Sequence, residues 1–266
     1  MKTISILGCG WLGLALGEAL VKQGCQVKGS TTQTAKLSFL SDKGIKPYII
    51  DIGIDKKEVI VPAFFESEVI VITLPFKRQL LDPYIYKDQI RRLTQHFSKQ
   101  VSEVFFCSST AVYPDTWTLC RENMEITPTT QRAAALLETE NLLLEDGRFN
   151  TLILRLGGLI GGERHPVRFL TKKEIVKDAE APVNLIHRED CIRIIIRLLQ
   201  QQSGNRRLNA VSDWHPKRKD YYCAQADKLG IPVPIFSNET TTRQKIVDNT
   251  ELKKYLNFNF QQALYE

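Results

Sequence analysis

Three glycines near the start of the chain could bind the phosphates of a dinucleotide. They stand at Gly8, Gly10 and Gly13, in G-x-G-x-x-G spacing. The first permits a tight turn, the second lets the backbone approach a pyrophosphate, and the third lets a helix pack closely on a strand. Of the residues between them, Trp11 and Leu12 would contribute backbone amides and packing at the cofactor. The spacing predicts a loop that holds a dinucleotide and does not by itself predict a reaction.

The elements around this loop have the order that the motif requires. Thr3–Leu7 reads as a buried strand, a helix follows over Leu14–Lys22, and a second strand covers Gln26–Ser30. An export signal can also begin with a lysine and an apolar stretch, but three glycines and Glu18 interrupt this one. We therefore expect a strand, turn, helix and strand that bind a dinucleotide.

The second strand ends in hydroxyl groups rather than in a carboxylate. Sites for NAD usually have Asp or Glu at this point to bind the ribose hydroxyls. Here Ser30, Thr31 and Thr32 would tolerate a 2′-phosphate, with Lys28 or Lys36 nearby. The sequence predicts NADP as the cofactor, and NAD stays open because an arginine for the phosphate is missing.

Strands and helices alternate beyond this unit. We expect strands at Tyr48–Ile50, Val69–Leu74, Val104–Cys107 and Thr151–Arg155, and helices at about Asp82–Lys99 and Thr129–Glu145. Alternation with continuously apolar strands indicates a parallel sheet that is covered on both faces. The predicted fold class is α/β, a Rossmann-like doubly wound parallel sheet with a small C-terminal α/β substrate-binding part.

The pattern changes to glycine-rich loops after Arg155. Later elements are expected at about Glu189–Gln202 (helix), from Arg207 (strand), at about Lys217–Leu229 (helix) and around Thr250–Leu256 (short helix). We predict a cofactor-binding Rossmann domain over residues 1–160, to which residues 183–212 return. Residues 161–182 and 213–266 would form the smaller substrate-binding part.

Composition narrows the class of protein. The 266 residues are 43% hydrophobic and carry a net charge of +6, with a pI near 8.9. The basic residues cluster at Arg164–Lys173 and His215–Lys219, where Phe169 is the one aromatic residue. Aromatic residues are thus not interleaved for base stacking, so we expect no nucleic-acid partner. Six scattered cysteines without a C-x-x-C pair predict no metal and fit a cytoplasmic location. No apolar run approaches the ~18 residues of a membrane span. A small-molecule substrate and a monomer or homodimer are expected.

Three further segments resemble a known family. Cys107–Pro114, CSSTAVYP, is similar to a Ser-Ser-x-x-Val-Tyr-Gly segment, Leu154–Gly161 to an R-x-x-G-x-x-G turn, and Asn184–Asp190 to an I-H-x-x-D segment. All three are typical of the extended short-chain dehydrogenases/reductases, the NAD-dependent epimerase/dehydratase superfamily. The G-x-G-W-L-G start and the Val-x-Asn-x-x-Leu ending at Val247–Leu252 resemble an atypical branch of small YeeZ-like proteins. The resemblance implies a small substrate of nucleotide-sugar type that bears phosphate.

Roles for individual residues follow from this resemblance. Ser109 stands where the family's catalytic hydroxyl hydrogen-bonds the reacting oxygen, and Asp51 stands where an acid meets the adenine amino group. The other implied positions are Thr73, Leu74, Pro75 and Ser108 beside the cofactor, and Arg164 and Arg168 at substrate phosphates.

The family's Tyr-x-x-x-Lys pair is absent. Pairing Glu140 with the family's helix glutamate puts Arg132 at the tyrosine and Leu136 at the lysine. Arginine holds its proton too tightly to act as a base at neutral pH, although it can stabilise an anionic oxygen. Tyr113, on the loop that follows Ser109, is a candidate replacement acid. Two functions stay open: an NAD(P)-dependent oxidoreductase or epimerase-like enzyme, and a non-catalytic protein that senses NADP or binds a partner.

Overall fold

The computed structural model describes residues 2–53, 58–76, 82–116, 119–201, 204–237, 239 and 243–262. Packing divides the chain into two compact units. The first unit comprises Met1–Ser108, Pro128–Leu154 and Leu198–Arg207, and the second comprises Ser109–Thr127, Arg155–Arg197 and Leu208–Glu266. The boundaries of these units are defined by packing within each unit. The predicted boundary at residue 160 instead divides the chain into a cofactor-binding domain and a substrate-binding part, and that division stays a prediction.

The described residues form eleven strands. They are β1 (Thr3–Leu7), β2 (Gln26–Thr31), β3 (Lys46–Ile49), β4 (Asp51–Ile52), β5 (Glu58–Val59), β6 (Val69–Ile72), β7 (Glu103–Ser109), β8 (Asn150–Leu156), β9 (Gly158–Ile160), β10 (Leu185–His187) and β11 (Arg206–Ala210). Seven of these make one sheet in the order β11-β8-β7-β6-β1-β2-β3. The remaining strands form the pairs β4–β5 and β9–β10.

Nine α-helices connect the strands of the described chain. They are α1 (Trp11–Lys22), α2 (Leu37–Asp42), α3 (Pro62–Phe65), α4 (Tyr84–Thr94), α5 (Gln131–Leu144), α6 (Val167–Leu170), α7 (Arg188–Leu199), α8 (Arg218–Lys228) and α9 (Thr250–Leu256). Single 3-10 turns cover Thr34–Lys36 and Thr110–Val112. None of the helices in the described ranges has both the length and the apolar character that crossing a membrane requires.

The middle of the sheet is apolar on both faces. β1 pairs in parallel with β2 and with β6, and β6 pairs in parallel with β7. All four residues of β6, Val69–Ile72, are buried. A strand that is buried on both faces belongs to a sheet covered by helices on both sides, as the sequence predicts. The predicted α/β doubly wound fold is therefore confirmed.

The strand order changes direction next to β1. The chain runs from β1 through β2 to β3 on one side and then crosses to β6 on the other side. In open α/β sheets, ligands bind at such a switch point, beyond the carboxyl ends of the strands. Gly8 follows β1 and Thr73 follows β6, so both stand at this point.

Several predicted boundaries need correction. α1 begins at Trp11 rather than Leu14, because Gly10 already has the extended backbone of an N-cap. The strand predicted to reach Leu74 ends at Ile72. α4 ends at Thr94 rather than Lys99, and the Thr94 hydroxyl donates a hydrogen bond to the Arg91 carbonyl, which competes with continuation of the helix.

The last predicted helix of the middle region also ends early. α7 ends at Leu199, and Gln202, its predicted last residue, lies outside the described residues. α2 and the β9–β10 pair are missing from the sequence prediction altogether. These elements have six residues or fewer, so they carry too little periodicity to be recognised.

Candidate functional site

The turn after β1 has a conformation that glycine permits. Gly8 has φ of +97°, a value that other residues rarely adopt. Its N–H donates a 2.8 Å hydrogen bond to Ser30 Oγ, and its carbonyl accepts a 2.7 Å hydrogen bond from Thr73 Oγ1. Ser30 is 2% exposed. Side chains from β2 and from the end of β6 thus fix the turn from two sides.

The other two glycines serve different purposes. A Cβ added at Gly13 would lie 2.3 Å from the Gly8 carbonyl oxygen and 2.7 Å from Thr73 Oγ1. Gly13 therefore allows α1 to pack against the turn. A Cβ added at Gly10 would meet no heavy atom within 4 Å, and its φ of −84° suits any residue. Gly10 instead leaves space open above the loop, and its predicted role at a pyrophosphate stays a prediction.

The N-terminus of α1 faces this space with its polar backbone. The helix has twelve residues, and no side chain caps its first turn. The first amides of a helix lack intrahelical acceptors and carry partial positive charge, so they favour a phosphate. Trp11 and Leu12 are the first two residues of this helix, and the contribution of their backbone amides to a cofactor site stays a prediction.

A cavity of about 360 Å³ lies beside the loop, entirely within the first unit. Eight of the predicted cofactor residues line it: Gly8, Gly10, Ser30, Thr31, Thr32, Asp51, Leu74 and Pro75. Five do not line it: Trp11, Leu12, Gly13, Thr73 and Ser108. Gly13 and Thr73 instead shape the turn, as described above.

One wall of the cavity was not predicted. It is formed by Tyr86, Gln89, Ile90 and Leu93 of α4, together with Ile50 and Ile52. Gln89 also donates a hydrogen bond to the Ile52 carbonyl. The 86, 90 and 93 spacing places apolar side chains on one helix face, and this periodicity is the signal that could have identified the wall.

The two lysines considered for a 2′-phosphate are placed differently. Lys28 Nζ donates hydrogen bonds of 2.6 and 2.5 Å to the carbonyls of Ala63 and Glu66 and does not line the cavity. Burial lowers the Lys28 pKa. Lys36 lines the cavity, in the 3-10 turn that follows the hydroxyl-rich end of β2. The structure thus separates two residues that the sequence treats alike.

Ser108 is held by a buried carboxylate of α5. Its hydroxyl donates a 2.6 Å hydrogen bond to Glu140 Oε1, and Glu140 is fully buried. Arg207 Nε lies 3.4 Å from the other carboxylate oxygen. Glu140 thereby ties α5 to the ends of β7 and β11 inside the first unit. This network is the local reason for the orientation of Ser108.

Arg132 contacts the loop that follows β6. Its Nη2 donates a 2.8 Å hydrogen bond to the Phe76 carbonyl, and the guanidinium stacks 4.3 Å from the centre of the Phe76 ring. Phe76 packs edge-on against Tyr86, whose hydroxyl donates to the Leu74 carbonyl. Arg132 is therefore linked to the wall of the cavity through Phe76, with a charge that can stabilise an anionic oxygen.

Tyr113 lies in the core of the second unit. It is 2% exposed, its hydroxyl donates to Asn209 Oδ1 at 2.9 Å, and it accepts from Arg155 Nη1 at 2.8 Å. Burial raises the pKa of Tyr113 to about 12. Because Asn209 and Arg155 use both hydrogen-bonding directions of this hydroxyl, Tyr113 has a structural role in the second unit, and its role as an acid stays a prediction. The sequence could not distinguish these two uses.

The remaining predicted residues also lie in the second unit. Ser109 Oγ accepts a 3.2 Å hydrogen bond from the Ala111 amide and caps the 3-10 turn Thr110–Val112. Arg164 follows the Gly161-Gly162 turn, and Arg168 is exposed on α6. Of the predicted catalytic set, Arg132 belongs to the first unit, whereas Ser109 and Tyr113 belong to the second.

Solved structures share this fold over the whole chain. UDP-glucuronic acid 4-epimerase from Bacillus cereus, solved in complex with NAD, has a TM-score of 0.79 and 16% identity, covering 99% of this chain and 95% of its own. MoeE5, in complex with UDP-glucuronic acid and NAD, has a TM-score of 0.81 and 17% identity, covering 100% and 96%. No family model matches the chain.

The chain therefore has the doubly wound α/β fold of these two structures, a structural class that includes a UDP-glucuronic acid 4-epimerase solved with NAD. One relative is similar enough in sequence to assign a family. The chain is 33% identical to protein YeeZ of Escherichia coli strain K12, over 98% of this chain and 96% of that protein. The chain belongs to the YeeZ family.

Proposed function

We propose that the first unit binds an NAD(P) dinucleotide and that the chain is an oxidoreductase or epimerase-like protein acting on a small, phosphate-bearing substrate. The observation that supports it best is the loop itself. Gly8, Gly10 and Gly13 stand at the switch point of the sheet, beside a cavity of about 360 Å³. This combination of turn, helix N-terminus and cavity is the general architecture of dinucleotide sites.

The residues present fit such a cofactor in chemistry and in space. Gly10 leaves open space where a pyrophosphate needs to approach, and the first turn of α1 offers uncapped amides. The lining of the cavity combines Asp51 with the apolar side chains of Ile50 and Ile52, which suits a flat purine. A bound nicotinamide would supply hydride transfer, and the protein would supply orientation and electrostatics.

We propose NADP as the preferred dinucleotide. Lys36 and the hydroxyls of Thr31 and Thr32 line the cavity after β2, and the lining residues from Ser30 to Lys36 include no carboxylate. A 2′-phosphate would meet one lysine and several hydroxyl donors there, with no like charge to repel it. Titration calorimetry with NADP and with NAD tests this preference, which fails if NAD binds as tightly.

For the reaction we propose Ser109 and Arg132 as the groups that touch substrate. Ser109 would hydrogen-bond the reacting oxygen, and the positive charge of Arg132 would suit an anionic group of the substrate. Arg164 and Arg168 would bind substrate phosphate. Tyr113 is left out of this proposal because its hydroxyl is engaged by Arg155 and Asn209.

A second candidate is a non-catalytic protein that senses NADP or binds a partner. Two side chains favour it. Leu136, 3% exposed, occupies the position of the family's lysine, and Arg132 that of its tyrosine. Neither can move a proton at neutral pH, since leucine has no acidic hydrogen and the arginine pKa is too high.

Turnover assays with nucleotide sugars, aldehydes and hydroxy acids separate these two candidates. The enzyme predicts nicotinamide redox change or epimerised product, and loss of that activity in Ser109→Ala with NADP binding retained. The sensing protein predicts tight NADP binding and no turnover with any of these substrates. Ser98→Ala, a change in a loop of the first unit away from the cavity lining, is the matched control.

A further inference from the structure

The side chain of Arg218 is half-buried, and the described residues supply its guanidinium with neither a hydrogen bond nor an ion pair. It is the first residue of α8, and its backbone N–H donates a 2.8 Å hydrogen bond to the Ala181 carbonyl. The backbone of Arg218 is thus fixed. Charged groups removed from water are normally paired, because burial without a partner costs free energy.

The two carboxylates that act on Arg218, Asp115 and Asp178, both contact other cations. Arg243 Nε and Nη2 donate to Asp115 Oδ2 at 2.9 and 2.8 Å, and Lys245 Nζ lies 2.8 Å from Asp115 Oδ1. Both oxygens of Asp115 are therefore taken by other cations. Asp178 Oδ2 lies 4.0 Å from Arg243 Nη1. Three cations face two carboxylates in this part of the second unit.

Burial is the main cause that lowers the pKa of Arg218, and the positive charge of Arg243 lowers it further. Tyr222, Asp178 and Asp115 act in the opposite direction. A guanidinium stays protonated at neutral pH under such a shift. The positive charge is therefore retained in a desolvated position, where an added anion would gain the most from it.

We propose that Arg218 binds an oxyanion group of a small-molecule ligand, a phosphoryl or a carboxylate group, inside the second unit. The planar guanidinium can donate two parallel hydrogen bonds to either group. The site differs from Arg164 and Arg168, to which the family resemblance points. It deepens the proposed function by naming a residue that would recognise the substrate's anionic group. The assignment of this anion to the substrate rests on the proposed function, whereas anion binding at Arg218 does not.

The test is a titration of the full chain with inorganic pyrophosphate and, separately, with malonate, in excess NADP so that the glycine loop is filled. Arg218→Met removes the charge and keeps most of the apolar stem. We expect it to weaken binding of the preferred anion by about tenfold or more. The matched control Lys219→Met removes an exposed charge from the next position and is expected to bind the anion like the wild type.

Thermal unfolding without anion gives a second readout. If Arg218 is kept for a ligand, Arg218→Met unfolds at the wild-type temperature or above it, because an unpaired half-buried charge is removed. A structural arginine would instead lower the unfolding temperature. Arg218→Lys, which keeps the charge but not the fork, is expected to show intermediate affinity and serves if the methionine variant does not fold.

Three results would overturn the proposal: wild-type affinity for both anions in Arg218→Met, equal losses in Lys219→Met, or no binding of either anion by the wild type at millimolar concentration. Arg218-dependent binding of pyrophosphate assigns a phosphoryl group, and Arg218-dependent binding of malonate assigns a carboxylate. The anion titration is read separately from NADP binding. If the protein binds no NADP, the proposed function is wrong, and the titrations of the variants still test anion binding at Arg218.

Discussion

The glycine loop of the first unit and the Tyr113 network of the second unit both contain segments that resemble motifs of the extended short-chain dehydrogenases/reductases, but they use their polar groups in opposite ways. At the loop, polar backbone groups meet a cavity, and Gly10 has open space beside it. In the network, the Tyr113 hydroxyl is buried between Arg155 and Asn209. A motif that binds a ligand through backbone groups can keep this function when its side chains change. The side chains of another motif can instead be used for packing and hydrogen bonding in the protein core.

The largest effect is expected at Arg155, which is 1% exposed and stacks 4.9 Å from the centre of the Tyr113 ring. Arg155→Ala should lower the free energy of unfolding by about 3 kcal/mol, since a charged hydrogen bond and the packing of the stem are both lost. Denaturant unfolding measures this. Arg121→Ala, which removes an exposed ion pair with Asp248, should cost less than about 1 kcal/mol. Equal costs would contradict a structural network.

The next effect is expected in the turn itself. Gly13→Ala places a Cβ 2.3 Å from the Gly8 carbonyl oxygen, so α1 or the turn must shift. We expect a loss of about 1–3 kcal/mol in stability and weaker NADP binding, measured by thermal unfolding and by calorimetry. Unchanged stability in this variant would show that the close approach of α1 to the turn is not tight in solution.

Tyr113→Phe tests the Tyr113 network, the second of the two regions compared. It leaves Arg155 Nη1 and Asn209 Oδ1 without their shared partner, which should cost about 1–3 kcal/mol, while NADP affinity stays the same. The phenol pKa, raised to about 12 in the folded state, also predicts falling stability above the ordinary tyrosine pKa of about 10, because the unfolded chain loses this proton first. Tyr113→Phe should flatten that part of the stability profile. Lost turnover at unchanged stability would instead make Tyr113 an acid.

The smallest effect is expected at the rim of the cavity. Lys36→Gln should weaken NADP binding by about 1 kcal/mol and leave NAD binding unchanged, since an exposed lysine contributes modestly to an ion pair. Lys28→Gln is the matched control, because Lys28 bonds to the carbonyls of Ala63 and Glu66 instead. If Lys28→Gln changes the ratio of NADP to NAD affinity and Lys36→Gln does not, the assignment of the 2′-phosphate position is wrong.

Features of the fold that depend on local chemistry could be predicted from the sequence. The strand Thr3–Leu7 and the helix Thr250–Leu256 have the predicted bounds, and the glycine turn has the conformation that its spacing requires. These features depend on residues close together in the chain. The α/β class followed from the same kind of signal, repeated along the chain.

Features made by distant residues could not be predicted in this way. Nothing in the sequence near Tyr113 indicates that Asn209 will bond to its hydroxyl, or that Asp115 will pair with both Arg243 and Lys245. The difference between Lys28 and Lys36 likewise depends on distant contacts, because Lys28 in β2 reaches the carbonyls of Ala63 and Glu66, whereas Lys36 lines the cavity from a 3-10 turn. Long-range packing assigns these side chains, and a single sequence carries no direct record of it.

The central claim is that the glycine loop and its cavity bind the dinucleotide, and Gly10 allows the most direct test. Gly10→Val adds a side chain in open space at the cavity with no backbone strain, and Gly147→Val does the same on an exposed turn of the first unit away from the cavity. Calorimetric titration with NADP should show one site per chain in the wild type and in Gly147→Val, and none in Gly10→Val, with all three proteins unfolding at similar temperatures. Wild-type NADP affinity in a folded Gly10→Val, or no binding by the wild type, would contradict the account.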